Sequence, residues 1–169
     1  MKRLIFALIP LLTLACQDKQ TEVELAEFKE IKALETNNIA IVQKLYRFID
    51  EQKLDSCNNF MAENNKGYMG SSDEPFKFKD IIPFIESYYS AFPDYKHEIE
   101  NIFASGDYVV AQLKYTGTQA ADFMEIPSTG NKIEYKGIFV FKILDGQINE
   151  FWGVEDDLTM MQQLGLELK

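Results

Sequence analysis

Past residue 94 the apolar residues of this chain stop recurring every three or four positions and begin to alternate, and that change of period decides what it can fold into. Residues 95–104, 108–118, 132–144 and 147–154 have the pattern of strands. Ser105-Gly106-Asp107 and Asp145-Gly146 punctuate them as tight hairpin turns, and Pro127-Ser128-Thr129-Gly130 supplies a longer one. Four long strands joined by short turns make an antiparallel sheet with one face to bury.

The residues that cover that face come earlier. Ile39, Val42, Leu45, Tyr46 and Ile49 recur at spacings of three and four, which predicts an amphipathic helix capped by Asn37 or Asn38. A short helix over about 54–61 and another over about 79–91 follow, the last stopped by Phe92-Pro93-Asp94. After the strands, Asp156 or Asp157 caps a final helix through Leu164, with Gly165 closing it. The expected fold class is α+β: a strongly curved antiparallel sheet wrapped around N-terminal helices, with a short C-terminal helix. Such a sheet leaves a cavity between itself and the helices.

The N-terminus is an address. Met1-Lys2-Arg3 is positively charged, and the eleven residues Leu4 to Leu14 are apolar apart from Pro10 and Thr13. This run is too short to span a bilayer and has the form of a secretory signal peptide. Thr13-Leu14-Ala15-Cys16 resembles a bacterial lipobox, which implies acylation of Cys16 and cleavage before it. The expected partition is a signal peptide over 1–15, a lipidated Cys16 with a flexible tether over 16–36, and one domain over 37–167. Residues 17–35 are rich in Glu, Lys, Thr and Gln, with a marginal helix around 23–34. Gln17 in place of Asp after the cysteine favours the outer membrane of a bacterial envelope.

Charge and residue counts exclude several functions. The formal charge is −10, and loss of Lys2 and Arg3 with the signal takes it to −12. An acidic surface without a basic stripe repels phosphate backbones, so nucleic acid is not an expected partner. One His and two Cys are too few for a Cys/His zinc site, and no calcium-loop spacing surrounds Asp50-Glu51 or Asp156-Asp157. With Cys16 lipidated, Cys57 has no disulfide partner and serves as a small core hydrophobe.

From Asn37 to Leu166 the sequence resembles the SnoaL-like polyketide cyclases, or ester cyclases, of the ketosteroid-isomerase-like cone class. The resemblance is carried by Asn38-Ile39-Ala40-Ile41-Val42 with Tyr46, by Ala91-Phe92-Pro93-Asp94, and by Gly106-Asp107-Tyr108-Val109-Val110-Ala111. It continues through Gly117-Thr118, Phe123, Ile126-Pro127-Ser128-Thr129-Gly130 and Gly137-Ile138, and ends on residues 145–154 with Asp156 and Gln163-Leu164-Gly165. The resemblance implies intramolecular aldol ring closure on a polyketide ester with no metal or cofactor, and Asp156 stands at the position of the family's general acid/base. Two family histidines are replaced here, one by Gln119 and one by Tyr68, at or near its place. Both can donate hydrogen bonds, but neither titrates near neutral pH.

The candidate catalytic residues are therefore Asp156, Tyr68 and Gln119. The cap of the last helix is an equal role for Asp156. Trp152, Tyr115, Leu113, Tyr135, Phe139 and Glu150 are expected to line the cavity, although 13 Phe and 8 Tyr also fill an ordinary core. His97 reads first as a satisfied or surface histidine. The implied ligand is a small apolar or aromatic carbonyl compound, enolised, cyclised or isomerised in the cone. A carrier without chemistry is the alternative. A lipid bilayer at Cys16 and a second copy on the outer sheet face are the remaining expected partners.

Overall fold

A computed structural model describes residues 10–167, with side chains described from residue 19. The charged start and the first part of the apolar run lie outside the described residues, as does the side chain of Cys16. The elements are α1 (Pro10–Asp50), α2 (Leu54–Cys57), a 3₁₀ turn (Asn58–Phe60), β1 (Met61–Met69), α3 (Phe78–Ala91), β2 (Lys96–Ser105), β3 (Tyr108–Thr118), β4 (Lys132–Leu144), β5 (Gln147–Glu155) and α4 (Asp157–Gln163). The chain divides into two compact units, residues 1–34 and 35–169.

In the first unit α1 includes residues 23–34, where a marginal helix was expected within the tether, and extends on either side of them. Residues 19–34 contain neither Gly nor Pro and are rich in Glu, Lys, Ala and Leu, which are strong helix formers. Val23, Leu25, Phe28 and Ile31 on this stretch are exposed, so its helicity owes little to burial. Among the described residues no helix is long and apolar enough to cross a membrane.

In the second unit the sheet runs β1-β5-β4-β3-β2, with β1 parallel to β5 and the other pairs antiparallel. The four expected strands are present, and β1 is a fifth that residues 54–61 were not expected to lead into. Asp145 and Gly146 both take positive φ, +51° and +74°, as the predicted two-residue hairpin requires. Asn38 does not cap α1. It lies inside the helix, buried, with its Nδ2 donating to the Gly106 carbonyl at 3.1 Å and so tying the helix to the β2–β3 turn.

The concave face holds Val109, Ala111, Leu113 and Tyr115 of β3 beside Ile133, Tyr135, Phe141 and Ile143 of β4, all buried. Against them pack Ile41, Val42, Leu45, Tyr46 and Ile49 of α1 and Tyr88 of α3. On the outer face, Phe103, Val110, Val140, Trp152 and Tyr68 lie in register across all five strands.

Candidate active site

Between the concave sheet, α1 and α3 lies a cavity of about 300 Å³. Its walls are mostly apolar and aromatic, including Phe76, Phe78, Phe139, Phe141 and Phe151, and its polar residues are Glu155, His97, Tyr46, Tyr88, Tyr95 and Tyr115. An apolar pocket with a few convergent polar groups is the usual form of a small-molecule site.

Glu155 reaches the cavity from the last position of β5, on the same strand face as Phe151 and Gly153. Its approach to Tyr115 depends on Gly137, which pairs with Glu155 across β4–β5 and with Leu113 across β3–β4. A methyl group at residue 137 would stand 3.0 Å from Glu155 Cγ and 3.1 Å from Tyr115 Cε2. The missing side chain is thus the gap through which the two residues meet.

Burial raises the Glu155 carboxyl above the ordinary glutamate range, and Asp157 adds to the rise, while Tyr115 and His97 pull it back. The Tyr115 hydroxyl is close enough to exert that pull, yet it makes no hydrogen bond of acceptable geometry and has no other partner. Tyr115 is 2% exposed, so this is a buried donor without an acceptor beside a carboxyl in an apolar cavity. Desolvation holds the Tyr115 and Tyr135 hydroxyls well above the usual tyrosine range, which leaves them donors and not bases.

The shift of Glu155 has a measurable consequence. A carboxyl that holds its proton more tightly folded than unfolded contributes stability that is fully present below the ordinary glutamate value, 4.5, and is lost as pH rises through the folded value. Urea unfolding of the wild type and of Glu155→Gln should therefore show the wild type losing ground to the variant as pH rises from that value. A difference that is flat or opposite in sign would contradict the burial of this carboxyl.

His97 lies on β2 directly opposite Tyr115 of β3. Its Nδ1 is 2.6 Å from Asp50 Oδ1, at the C-terminal end of α1. The same oxygen accepts the His97 backbone N–H at 3.2 Å and the Tyr89 hydroxyl at 3.3 Å. Tyr46, Tyr95 and Tyr115 surround the imidazole, with ring centroids 5.1–5.4 Å away.

The expected lining residues, with Tyr68, fall in three places. Tyr115 and Phe139 line the cavity. Leu113 and Tyr135 stand on the same concave face in the layer behind; Tyr135 stacks on Tyr115 at 4.6 Å and shares a 2.5 Å hydrogen bond between hydroxyls with Tyr95. Trp152, Glu150 and Tyr68 are on the outer face instead: Tyr68 stacks on Trp152 at 5.9 Å, and Glu150 pairs with Lys142 at 3.2 Å. The inner positions of β5 belong to Phe151, Gly153 and Glu155.

Gln119 is buried but fully engaged in the β3–β4 loop. Its Oε1 accepts from Thr129 N and Oγ1 at 2.9 and 2.7 Å, and its Nε2 donates to the carbonyls of Ile126 and Pro127. Asp156 caps α4, accepting from Thr159 N at 3.0 Å and Thr159 Oγ1 at 2.7 Å. Those bonds lower its carboxyl pKa, its side chain is exposed, and it is not among the residues lining the cavity. The carboxyl inside the cavity is its neighbour, Glu155. Sequence reasoning passed over Glu155, Asp50 and the cavity position of His97. Among the described residues no three His, Cys, Asp or Glu side chains converge to hold a metal ion.

The model of the SnoaL-like polyketide cyclases matches residues 39–164. Among solved structures, a candidate polyketide cyclase from Bacillus cereus ATCC 10987 is 28% identical, with a TM-score of 0.66 over 79% of this chain and 83% of that one. A candidate SnoaL-like polyketide cyclase from Jannaschia sp. CCS1 is 24% identical, with a TM-score of 0.70 over 80% and 96%. AclR from Streptomyces galilaeus, named as a candidate hydroxylase, is 21% identical with a TM-score of 0.71 over 78% and 97%. No curated protein matches the chain. The curved sheet, the cavity it covers and the match over residues 39–164 lead to one statement: this chain belongs to the SnoaL-like polyketide cyclase family.

Proposed function

We propose that the domain binds a small apolar carbonyl compound in its cavity, with the carbonyl oxygen between the Tyr115 hydroxyl and the Glu155 carboxyl, and promotes cofactor-free enolisation of the kind that precedes aldol closure or isomerisation. The observation that carries this is the pairing of an unpartnered buried hydroxyl with a desolvated carboxyl inside an apolar cavity of about 300 Å³. A carbonyl oxygen satisfies both groups, whereas a purely apolar guest leaves the Tyr115 donor unpaired at a cost of about 1–3 kcal/mol. Donors preset where negative charge develops on an enolate oxygen favour the transition state over the bound ketone.

The reading is tested with 2-tetralone, a compact aromatic ketone with acidic α-hydrogens. Calorimetric titration should show saturable binding that weakens about tenfold in Tyr115→Phe, the loss of one well-formed hydrogen bond. Equal binding of 2-tetralone and of tetralin, which lacks the oxygen, would remove the carbonyl from the proposal.

The second part of the reading concerns location. The mature protein begins at an acylated Cys16 and is held at a bacterial membrane, which the charged start, the short apolar run and Ala15-Cys16 support. Labelled palmitate should enter the wild type, and equal incorporation into Cys16→Ser would defeat the claim.

A further inference from the structure

A group that donates a hydrogen bond to the carbonyl oxygen, as Tyr115 and Glu155 do in the reading above, is not free to remove a proton from the adjacent carbon. We propose that His97, oriented by Asp50, is the base that takes this proton. The proposal rests on the carbonyl reading of the cavity given above.

The argument starts from the hydrogen bonds. Asp50 Oδ1 lies 2.6 Å from His97 Nδ1, and it also accepts the His97 backbone N–H, so ring and backbone are gripped by one oxygen. A carboxylate at that distance favours, for the neutral ring, the tautomer with its proton on Nδ1, in which Nε2 carries the lone pair. His97 lines the cavity and Asp50 does not, while the two together line a separate surface groove with Gln43, Arg47 and Lys96, so the histidine borders both. The His97 side chain is 8% exposed and that of Asp50 22%, so the ring is buried and the carboxylate half-buried. Tyr115 stands next to His97 on the neighbouring strand and next to Glu155 on the other side. The carbonyl end and the base are thus arranged on either side of one tyrosine.

The proton balance closes without any other reactant. His97 Nε2 takes the proton from the α-carbon, and the C–H electron pair forms the carbon–carbon double bond. The carbonyl π pair moves to oxygen, which accepts the Glu155 proton while Tyr115 donates a hydrogen bond. Neutral enol results, with imidazolium on His97 facing carboxylates on Asp50 and Glu155. Return of the proton to the same or another carbon regenerates both groups. Asp50 is a positioning residue, acting through the ring.

Because the chain has a single histidine, a two-bond ¹H–¹⁵N spectrum of the full chain labelled with ¹⁵N-histidine reports His97 alone. The expected state is the Nδ1–H tautomer with a bare Nε2, whose resonance moves as 2-tetralone is added. Asp50→Asn should mix the tautomers. A dominant Nε2–H tautomer, or an Nε2 resonance indifferent to saturating 2-tetralone, would overturn the proposal.

The kinetic arm follows deuterium uptake at C1 of 2-tetralone in D₂O. His97→Gln should lower the enzyme-catalysed rate about 100-fold or more, with binding unchanged within threefold. If His97→Gln exchanges within twofold of wild type while Glu155→Gln is slow, His97 is structural and the carbonyl reading survives alone. If the wild type binds 2-tetralone and catalyses no exchange, the role of His97 and the enolisation fall together and the domain is a carrier.

Discussion

Glu155→Gln is expected to bind 2-tetralone with affinity within threefold of wild type and to catalyse its α-proton exchange at least 100-fold more slowly. The amide keeps the shape and one hydrogen-bond donor of the protonated carboxyl, so the carbonyl oxygen still finds Tyr115 and an N–H. It has no proton to give, and acid assistance to an enolising carbonyl is worth about 10²–10⁴ in rate. Glu155→Ala adds a void and an unpartnered Tyr115, so binding and stability should drop as well. Asp156→Asn is the neighbouring control. Its side chain is exposed and committed to Thr159, and an Asn cap retains the accepting oxygen, so exchange should be unchanged. Loss of exchange in Asp156→Asn with retention in Glu155→Gln would restore Asp156 as the acid/base group. Binding without exchange in every form would make the protein a carrier.

A comparable loss is expected from Gly153→Leu, for a steric reason. A Cβ at residue 153 would lie 2.3 Å from Phe139 Cε1 and 2.7 Å from Met69 Sδ, both in the cavity wall. The ring of Phe139 occupies the space that any side chain would need, and β5 is held between β1 and β4. Overpacking of this kind costs about 1–3 kcal/mol, and each kcal/mol lowers Tm by roughly 2–4 °C in a domain of this size. The displaced ring enters the cavity, so 2-tetralone affinity should fall tenfold or more. Val154→Leu, one residue along and 62% exposed on the outer face, should change neither Tm nor binding. Wild-type affinity in Gly153→Leu would mean that the ligand sits elsewhere.

Much of this was legible in the sequence because it was local. Alternation and turn chemistry located β2 to β5, the Asp145-Gly146 hairpin and the Gly165 stop, and the inward positions of Tyr115 and Phe139 followed from the phase of β3 and β4. What was not legible depended on contacts between distant residues. Met61–Met69, with Asn64, Asn65 and Lys66 in its middle, has no alternation; it is a strand because β5 offers a parallel edge to pair with. The phase of β5 was misleading, since Trp152 and Val154 are the apolar pair while Gly153 and Glu155 look polar. The inward set is nevertheless Phe151, Gly153 and Glu155, because Phe139 needs the space above Gly153. His97 was one titratable residue among many until α1 placed Asp50, 47 positions earlier, against its ring. Asp156 was named both as the candidate acid/base group and as a cap; it caps α4, and a one-residue step along the same strand end moves the carboxyl from solvent into the cavity.

The most direct test of the central claim, that the cavity holds a carbonyl oxygen between Tyr115 and Glu155, is the infrared difference spectrum of 2-tetralone labelled with ¹³C at its carbonyl and bound to the full chain. Two hydrogen bonds in a low-dielectric site should move the carbonyl stretch to lower frequency than in water, and Tyr115→Phe and Glu155→Gln should each return part of the shift. A bound carbonyl absorbing where it does in a hydrocarbon solvent, unaffected by either substitution, would contradict the account.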